Sequence, residues 1–372
     1  MRIAVNASSF SKDYFDFFLK LASTHPKEHF LFILDTENPA LSLPQNSISL
    51  ILKRKSGTAI QQRIWYSIKI PAALKKNKAD ILISGKVISM HTKIPQVLMV
   101  PDLRFIYQPS SSDKKSLQFN KKNTLRFLNK ASKVIVTADF FKKEIIKRFQ
   151  INEEKIKVIY PAVDNGFKKI NFEEKELIKE KYAAGNEYFI YKGTISPQQN
   201  LLNLLKAFSF FKKRQKSTMQ LLVVGNYGIN SAEFLESLRL FRFKNEVKVL
   251  AELTEKEIQK AVAAAYAMVY VPVYDDKPAS VLEAMNCHVP LVISSIDNLK
   301  EYCGDAALFS DPQNHKDIAE KLMMIFKDEK LRKELIEKEA IQLKQIAGNQ
   351  KDSDFFNLIK DVQKNISSNE EI

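Results

Sequence analysis

Asp275 and Glu283, two acids with seven residues between them, stand in the segment VPVYDDKPASVLEAMNCHVPLVIS, Val271 to Ser294. They follow an apolar run, Ala267 to Val271, that reads as a buried strand. That order places Asp275 in the loop at the strand's C-terminal end and Glu283 in the first turn of the next helix. Ligands of open α/β sheets bind at this position. A second reading stays open: Ser280 and Glu283 form an S-x-x-E capping box, which would explain the glutamate without any ligand. The two roles can coexist, because one carboxylate has two oxygens.

Two other segments end strands with residues that could face the same ligand. In YFIYKGTISPQQNLLNLLKAFSFFK, Tyr188 to Lys212, a strand ends at Gly193 and a helix starts near Asn200. The exposed N–H groups and positive dipole end of such a helix can hold a diphosphate. In QLLVVGNYG, Gln220 to Gly228, a strand ends at Gly225 and Asn226 follows. Either segment could equally be an ordinary strand-turn-helix joint. Neither the five histidines nor the two cysteines, Cys287 and Cys303, fall at metal-ligand spacing, and Asp275-Asp276 is not a D-x-D, so no catalytic metal is expected.

The elements that must position these residues alternate along the whole chain. Strands are predicted at Arg2–Asn6, His29–Leu34, Ile48–Leu52, Asp80–Ile83, Gln96–Val100, Lys133–Thr137 and Lys157–Ile159. A second series follows at Tyr188–Lys192, Met219–Val224, Glu246–Leu250, Ala267–Val271, Leu291–Ser294 and Ala307–Phe309. Helical periodicity between them argues for parallel, doubly wound sheets. Pro71 should kink or end the helix Ala59–Lys76. The polar stretch Asp164 to Asn186 divides the chain, giving a first domain over 1–168, a second over 169–350 and a last helical segment over 351–372.

With 372 residues, 45% of them hydrophobic and 27% charged, the chain can bury two cores and is not disordered. Its start lacks a signal peptide's apolar region, and its longest apolar stretch falls short of a membrane span, so a cytoplasmic protein is expected. The net charge of +15 is lopsided: residues 1–165 hold 28 Lys and Arg against 13 Asp and Glu, whereas 166–372 hold 30 of each. The basic half suits an anionic partner such as a lipid surface, a phosphate-bearing acceptor or nucleic acid. Paired lysines at 114–115, 121–122 and 142–143, interleaved with Phe119, Phe127, Phe140 and Phe141, fit helices packing inward while their lysines meet an anionic membrane face. No recognisable nucleic-acid reader motif is present.

Together these segments resemble the GT-B glycosyltransferases of the large family 4 class, glycosyl transferases group 1. The family's E-G-F-G-L-P-V-L-E aligns with Asp275, Asp276, Lys277, Pro278, Ala279, Ser280, Val281, Leu282 and Glu283, which keep the final acid, carry Asp for the first and lack both glycines. Its G-[TS] and P-R-K-N are matched by Gly193, Thr194, Pro197 and Asn200, with Gln198 and Gln199 at the Arg and Lys positions. VPDLRFIYQP, Val100 to Pro109, resembles the family's H-D-L-x-F, with Pro101 in place of the histidine. The segment Asn298 to Pro312 is similar to its P-E-x-x-G-D-A-A run, and Lys157 to Phe167 to its domain exit.

The resemblance implies a GT-B fold of two Rossmann-like domains, with the last helix crossing back to the first. It implies retaining, metal-independent transfer of a sugar from a UDP or GDP sugar to a polysaccharide, glycolipid or other lipid-linked cell-envelope acceptor at the inner membrane face. It assigns no cofactor beyond the donor. Glu283 would hold the ribose, Asp275 would lie by the donor sugar, and Asp102 would act as a base or orienting carboxylate. Gly193, Thr194, Asn200, Gly225, Asn226, Lys277, Ser280, Val281 and Leu282 would face the donor. Two neutral amides at 198 and 199 cannot replace two cations beside a departing diphosphate. Lys277, helped by Lys192, could restore that charge, or it could be a solvated loop lysine. The chain has only nine glycines, and the loop Asn6 to Asp13 has none. The alternative reading is therefore a GT-B scaffold that has lost catalysis and serves as a binding or assembly partner.

Overall fold

The structure, a computed structural model, describes residues 1–10, 12–36, 42–53, 64–85, 91–100, 103, 123–160, 164, 166–228, 230–275, 278–348 and 352–367. Pro101, Asp102, Asp276, Lys277 and the lysine pairs at 114–115 and 121–122 lie outside the described residues. The chain divides into two compact units, Met1–Tyr160 with Gln350–Ile372, and Pro161–Asn349.

The first unit holds a seven-stranded sheet, β1 (Arg2–Asn6), β2 (His29–Leu34), β3 (Ser47–Ile51), β4 (Ile81–Gly85), β5 (Gln96–Met99), β6 (Lys133–Val136) and β7 (Ile156–Val158). Its order is β3-β2-β1-β4-β5-β6-β7, and every pairing is parallel. β1, β2, β4 and β5 carry apolar residues on both faces because helices cover both sides, as a parallel sheet requires. One face packs Trp65, Ile70 and Leu74 against Ala4, Leu31 and Leu82. Before Pro71 the helix is wound as a π-turn, Trp65–Lys69, and continues as Ile70–Lys76. A proline lacks the N–H of the regular ladder and crowds the carbonyl four residues back, and the wider turn absorbs both without ending the helix.

The other face takes the C-terminal helix, Asp352–Ser367. Phe355, Phe356, Ile359 and Val362 share a core with Phe18, Leu21, Phe30 and Ile83. Phe355 meets Phe17 and Phe18 edge-on at 5.3 and 5.7 Å. The last helix is thus part of the first unit's core.

The second unit repeats the plan with β8 (Tyr188–Lys192), β9 (Gln220–Val224), β10 (Val247–Leu250), β11 (Ala267–Tyr270), β12 (Leu291–Ser294) and β13 (Ala307–Ser310) in the order β10-β9-β8-β11-β12-β13. All pairings are parallel. The order reverses between β8 and β11, which makes the loops after these two strands the mouth of the sheet. The unit begins at Pro161, before the boundary predicted at 168, because Phe167 is buried in it and its carbonyl accepts from Asn286 Nδ2 at 2.6 Å.

No helix among the described residues is long and apolar enough to cross a membrane. One buried group departs from ordinary packing. Glu339, in the helix Glu329–Gly348, is 0% exposed, and neither carboxyl oxygen has a hydrogen-bond partner among the described residues. Burial holds its pKa well above the usual 4.5, and it adds to the rise at the buried thiols Cys287, pushed up to about 12, and Cys303. A carboxyl whose folded pKa is raised favours folding most at low pH. Its contribution fades above pH 4.5, at up to about 1.4 kcal/mol per pH unit, until the folded pKa is reached. Glu339→Gln is expected to match the parent's melting temperature near pH 4.5 and to exceed it increasingly toward neutral pH. Calorimetric scans across that range check the slope; parallel curves for parent and variant would refute it.

Candidate active site of the second unit

Gly193 and Gly225 close the first part of the site. The N–H of Gly193 donates to Val224 O at 2.9 Å, and that of Gly225 to Leu250 O at 3.2 Å. Gly225 has φ +141, and a Cβ there would lie 1.9 Å from Gly193 O. The loops after β8 and β9 therefore touch backbone to backbone, a distance open only to glycine. They go on pairing beyond the strands, with Ile195 N donating to Asn226 O and Gly228 N to Ile195 O, both at 2.9 Å. Thr194 and Asn226 are exposed on this double loop.

The acids occupy the adjoining mouth. Asp275 is buried at the end of the loop after β11, and Glu283 is buried in the helix Ala279–Asn286. That helix is capped by Pro278, with no side-chain cap hydrogen bond, so the capping box expected from Ser280 and Glu283 is absent. Ser280 already lies within the first turn and Glu283 lies one turn further in, because the chain turns into helix only after the proline. Lys192, the last residue of β8, donates Nζ to Glu283 Oε2 in an ion pair. The same ammonium sits 4.8 Å from the centroid of the Phe167 ring. Lys192 is thus held between a carboxylate and an aromatic face, the arrangement that makes a partly buried cation tolerable.

The backbone carrying Asp275 is clamped by three side chains. Asn200 Nδ2 donates to Val271 O at 2.7 Å, Ser294 Oγ to Pro272 O at 2.6 Å, and Asn298 Nδ2 to Asp275 O at 2.5 Å. Asn200 also donates to Pro312 O at 2.7 Å. It stands in the left-handed region, φ 61, before the helix Leu201–Gln215, so its amide joins three segments. Tyr191 lies beneath, fully buried, with its hydroxyl donating to Thr194 O at 2.9 Å. Burial and then the charge of Asp275 raise its pKa, which keeps the phenol neutral.

The structure thus brings together Gly193, Thr194, Gly225 and Asn226 on one double loop, and Asp275 and Glu283 beside it. Val281 and Leu282 are fully buried core residues, and both backbone N–H groups bond Pro278 O at 3.0 Å. Gln199 turns its amide oxygen into the protein, where it has no partner among the described residues. Between Gly193 and Leu205 the sequence contains no lysine or arginine. Sequence reasoning missed Ser294 and Asn298 as clamps, and Lys192 as the partner of Glu283. Their bonds span 22, 23 and 91 positions, and no local pattern announces them.

Among known families, residues 33–167 match Glycosyltransferase Family 4 and residues 172–341 match Glycosyl transferases group 1. The chain is 24% identical over 247 residues to an O-antigen chain mannosyltransferase B of Escherichia coli, covering 66% of this chain and 65% of that one. It is 29% identical over 242 residues to the O-antigen chain mannosyltransferase RfbU of Salmonella typhimurium, covering 62% of each. The match thus spans less than two thirds of these relatives' length. In three dimensions it is similar to HepE of Anabaena solved with UDP-glucose, with a TM-score of 0.75 at 15% identity, covering 99% of this chain and 100% of that chain. Two parallel-sheet domains of this order, matched in turn by the two family descriptions, make the chain a member of the GT-B glycosyltransferases.

Proposed function

We propose that the protein transfers a hexose, with mannose the first candidate, from a nucleoside diphosphate sugar to a growing cell-envelope glycan or lipid-linked acceptor. Transfer proceeds with retention of anomeric configuration and without a metal ion, at the inner face of the cell membrane. The observation that carries this reading is two buried acids at the β8–β11 switch point, Asp275 on a loop clamped by Asn200, Ser294 and Asn298 and Glu283 in the helix that follows. Acids at a strand-end switch point are placed where ligands of open α/β sheets bind, and clamped backbone is what a preorganised site needs. The mannose and glycan parts rest on the names of the two O-antigen relatives, and the nucleotide-sugar part on the UDP-glucose held by the Anabaena neighbour.

In this reading Glu283 receives ribose hydroxyls and Asp275 lies beside the transferred sugar. Gly193, Thr194, Gly225 and Asn226 line the diphosphate side, Ser280 borders it, Lys277 is assigned to supply charge for it, and Asp102 to serve the acceptor. Asn200, Val281 and Leu282 act by position and packing. A second reading, a scaffold that has lost catalysis, is favoured by one observation: the diphosphate side offers no cation from 193 to 205 and turns Gln199 inward. Titration calorimetry with GDP-mannose and UDP-glucose, followed by a transfer assay reading product anomer in the presence of EDTA, separates the two. Binding with turnover is expected. Binding without turnover on any tested acceptor would favour the scaffold, and no nucleotide binding would overturn the donor site.

A further inference from the structure

A groove of about 610 Å³ on the second unit lies apart from the acids, between the helix Leu201–Gln215 and the segment that follows the helix Ala232–Arg239. Phe210, Leu240 and Phe241 form its apolar part, and Lys206, Lys213 and Arg242 stand around them. Leu240 is 80% exposed and lines the same edge of the groove as Phe241 and Arg242. Its wall holds no carboxylate, and the three cations make no ion pair among the described residues.

The charge is segregated. Residues 166–372 carry 30 bases and 30 acids, yet the stretches LLNLLKAFSFFKKRQK, Leu201 to Lys216, and LRLFRFK, Leu238 to Lys244, carry eight bases and no acid. Elsewhere in the unit lysines meet partners, as Lys179 does with Glu176 and Glu187 and Lys181 with Glu257. In these stretches Lys212 reaches Glu246 at 3.8 Å, whereas Arg214 lies 5.1 Å from the Phe210 ring and Arg242 5.5 Å from that of Phe243. Cations at the rim of an exposed apolar edge suit a surface that offers phosphates at one depth and acyl chain just below.

We propose that this groove docks the second unit onto the anionic phospholipid headgroups of a bilayer. Lys206, Lys213 and Arg242 meet lipid phosphates, and Leu240 enters the acyl boundary. The proposal is independent of catalysis and places a membrane contact outside the basic first half of the chain.

The test uses the full chain with vesicles of phosphatidylcholine, with and without an equal share of phosphatidylglycerol. K213E/R242E is compared with K333E/K338E, an equal charge reversal on the exposed side of the helix Glu329–Gly348. The expected result is sedimentation with phosphatidylglycerol vesicles that falls at least tenfold in K213E/R242E and less than about twofold in the control. Because Cys287 and Cys303 are both buried, a spin label on L240C reports from one place. It should lose access to a water-soluble relaxant only when phosphatidylglycerol is present. Failure of the parent to bind either vesicle, loss of binding in the control alone, or a label that stays in water would each overturn the proposal. Binding to polyglutamate instead, with no entry of the label, would assign the groove to an acidic protein and overturn it as well. Unchanged nucleotide binding by K213E/R242E shows that the variant is folded.

Discussion

Glu283→Gln is expected to weaken binding of the nucleotide sugar about 30- to 100-fold while leaving the fold cooperative. Hydrogen bonds from hydroxyls to a carboxylate are worth about 1.5–3 kcal/mol each, roughly twice those to a neutral amide oxygen. Glutamine keeps the shape of Glu283 and one acceptor oxygen, so the loss reports charge and not volume. The substitution has a second effect, because Lys192 donates to Glu283 Oε2 and would lose its counter-charge, keeping the ring of Phe167 and a neutral acceptor. Removing one partner of a buried pair costs about 3–5 kcal/mol when the other charge is left behind, less where water reaches it, as it partly does at Lys192.

The two effects separate in a double-mutant cycle. Lys192→Met alone is expected to leave the Glu283 carboxyl in place to receive ribose, with a smaller loss of affinity. Lys192→Met with Glu283→Gln should recover much of the thermal stability lost by Glu283→Gln and none of its nucleotide affinity. Calorimetric titration and thermal unfolding on the four proteins decide it. If the double variant regained affinity, Glu283 would be a partner for Lys192 and nothing more, which is the structural role that an S-x-x-E spacing suggested for another reason.

How far such roles are legible beforehand depends on the distance over which they are made. β1, β2, β8 and β12 are found where apolar runs between polar breaks place them, because a strand buried on both faces writes its environment into consecutive residues. Strand ends such as Val100, Thr137 and Val271 fall one residue outside the ladders, where pairing stops before hydrophobicity does. The pair Asp275 and Glu283 is legible through its spacing around a strand end. Its surroundings are not. The local S-x-x-E pattern competes with Pro278, and the proline decides where the helix starts. Asn200 reads as a residue facing the donor because it begins a helix, yet its amide bonds carbonyls 71 and 112 positions away. Glu339 stands among EKLRKELIEKEAIQLK, a run that looks solvated, and only packing reveals that it is buried.

Gly225→Ala is expected to cost about 4 kcal/mol or more, lowering the melting temperature of the second unit by roughly 10 °C and abolishing measurable nucleotide binding. Two independent penalties add. The backbone sits at φ +141, where a residue with a Cβ is strained by about 1–3 kcal/mol. The new carbon would also lie 1.9 Å from Gly193 O, so one of the two loops must move. Moving the β8 loop breaks the bond from Gly193 N to Val224 O and draws Ile195 away from Asn226 O, which displaces Thr194 from the place where a diphosphate would meet the loop. Gly185→Ala supplies the comparison: its φ is +76, yet its Cβ would meet only the flexible end of Glu180, at 3.0 Å, so about 1 kcal/mol is expected and binding should persist. Equal losses in the two variants would mean that positive φ alone sets the cost. A loss confined to Gly225→Ala would show that the closeness of the β8 and β9 loops is what the glycine protects, and that the donor side of the site is built from backbone where the usual cations are missing.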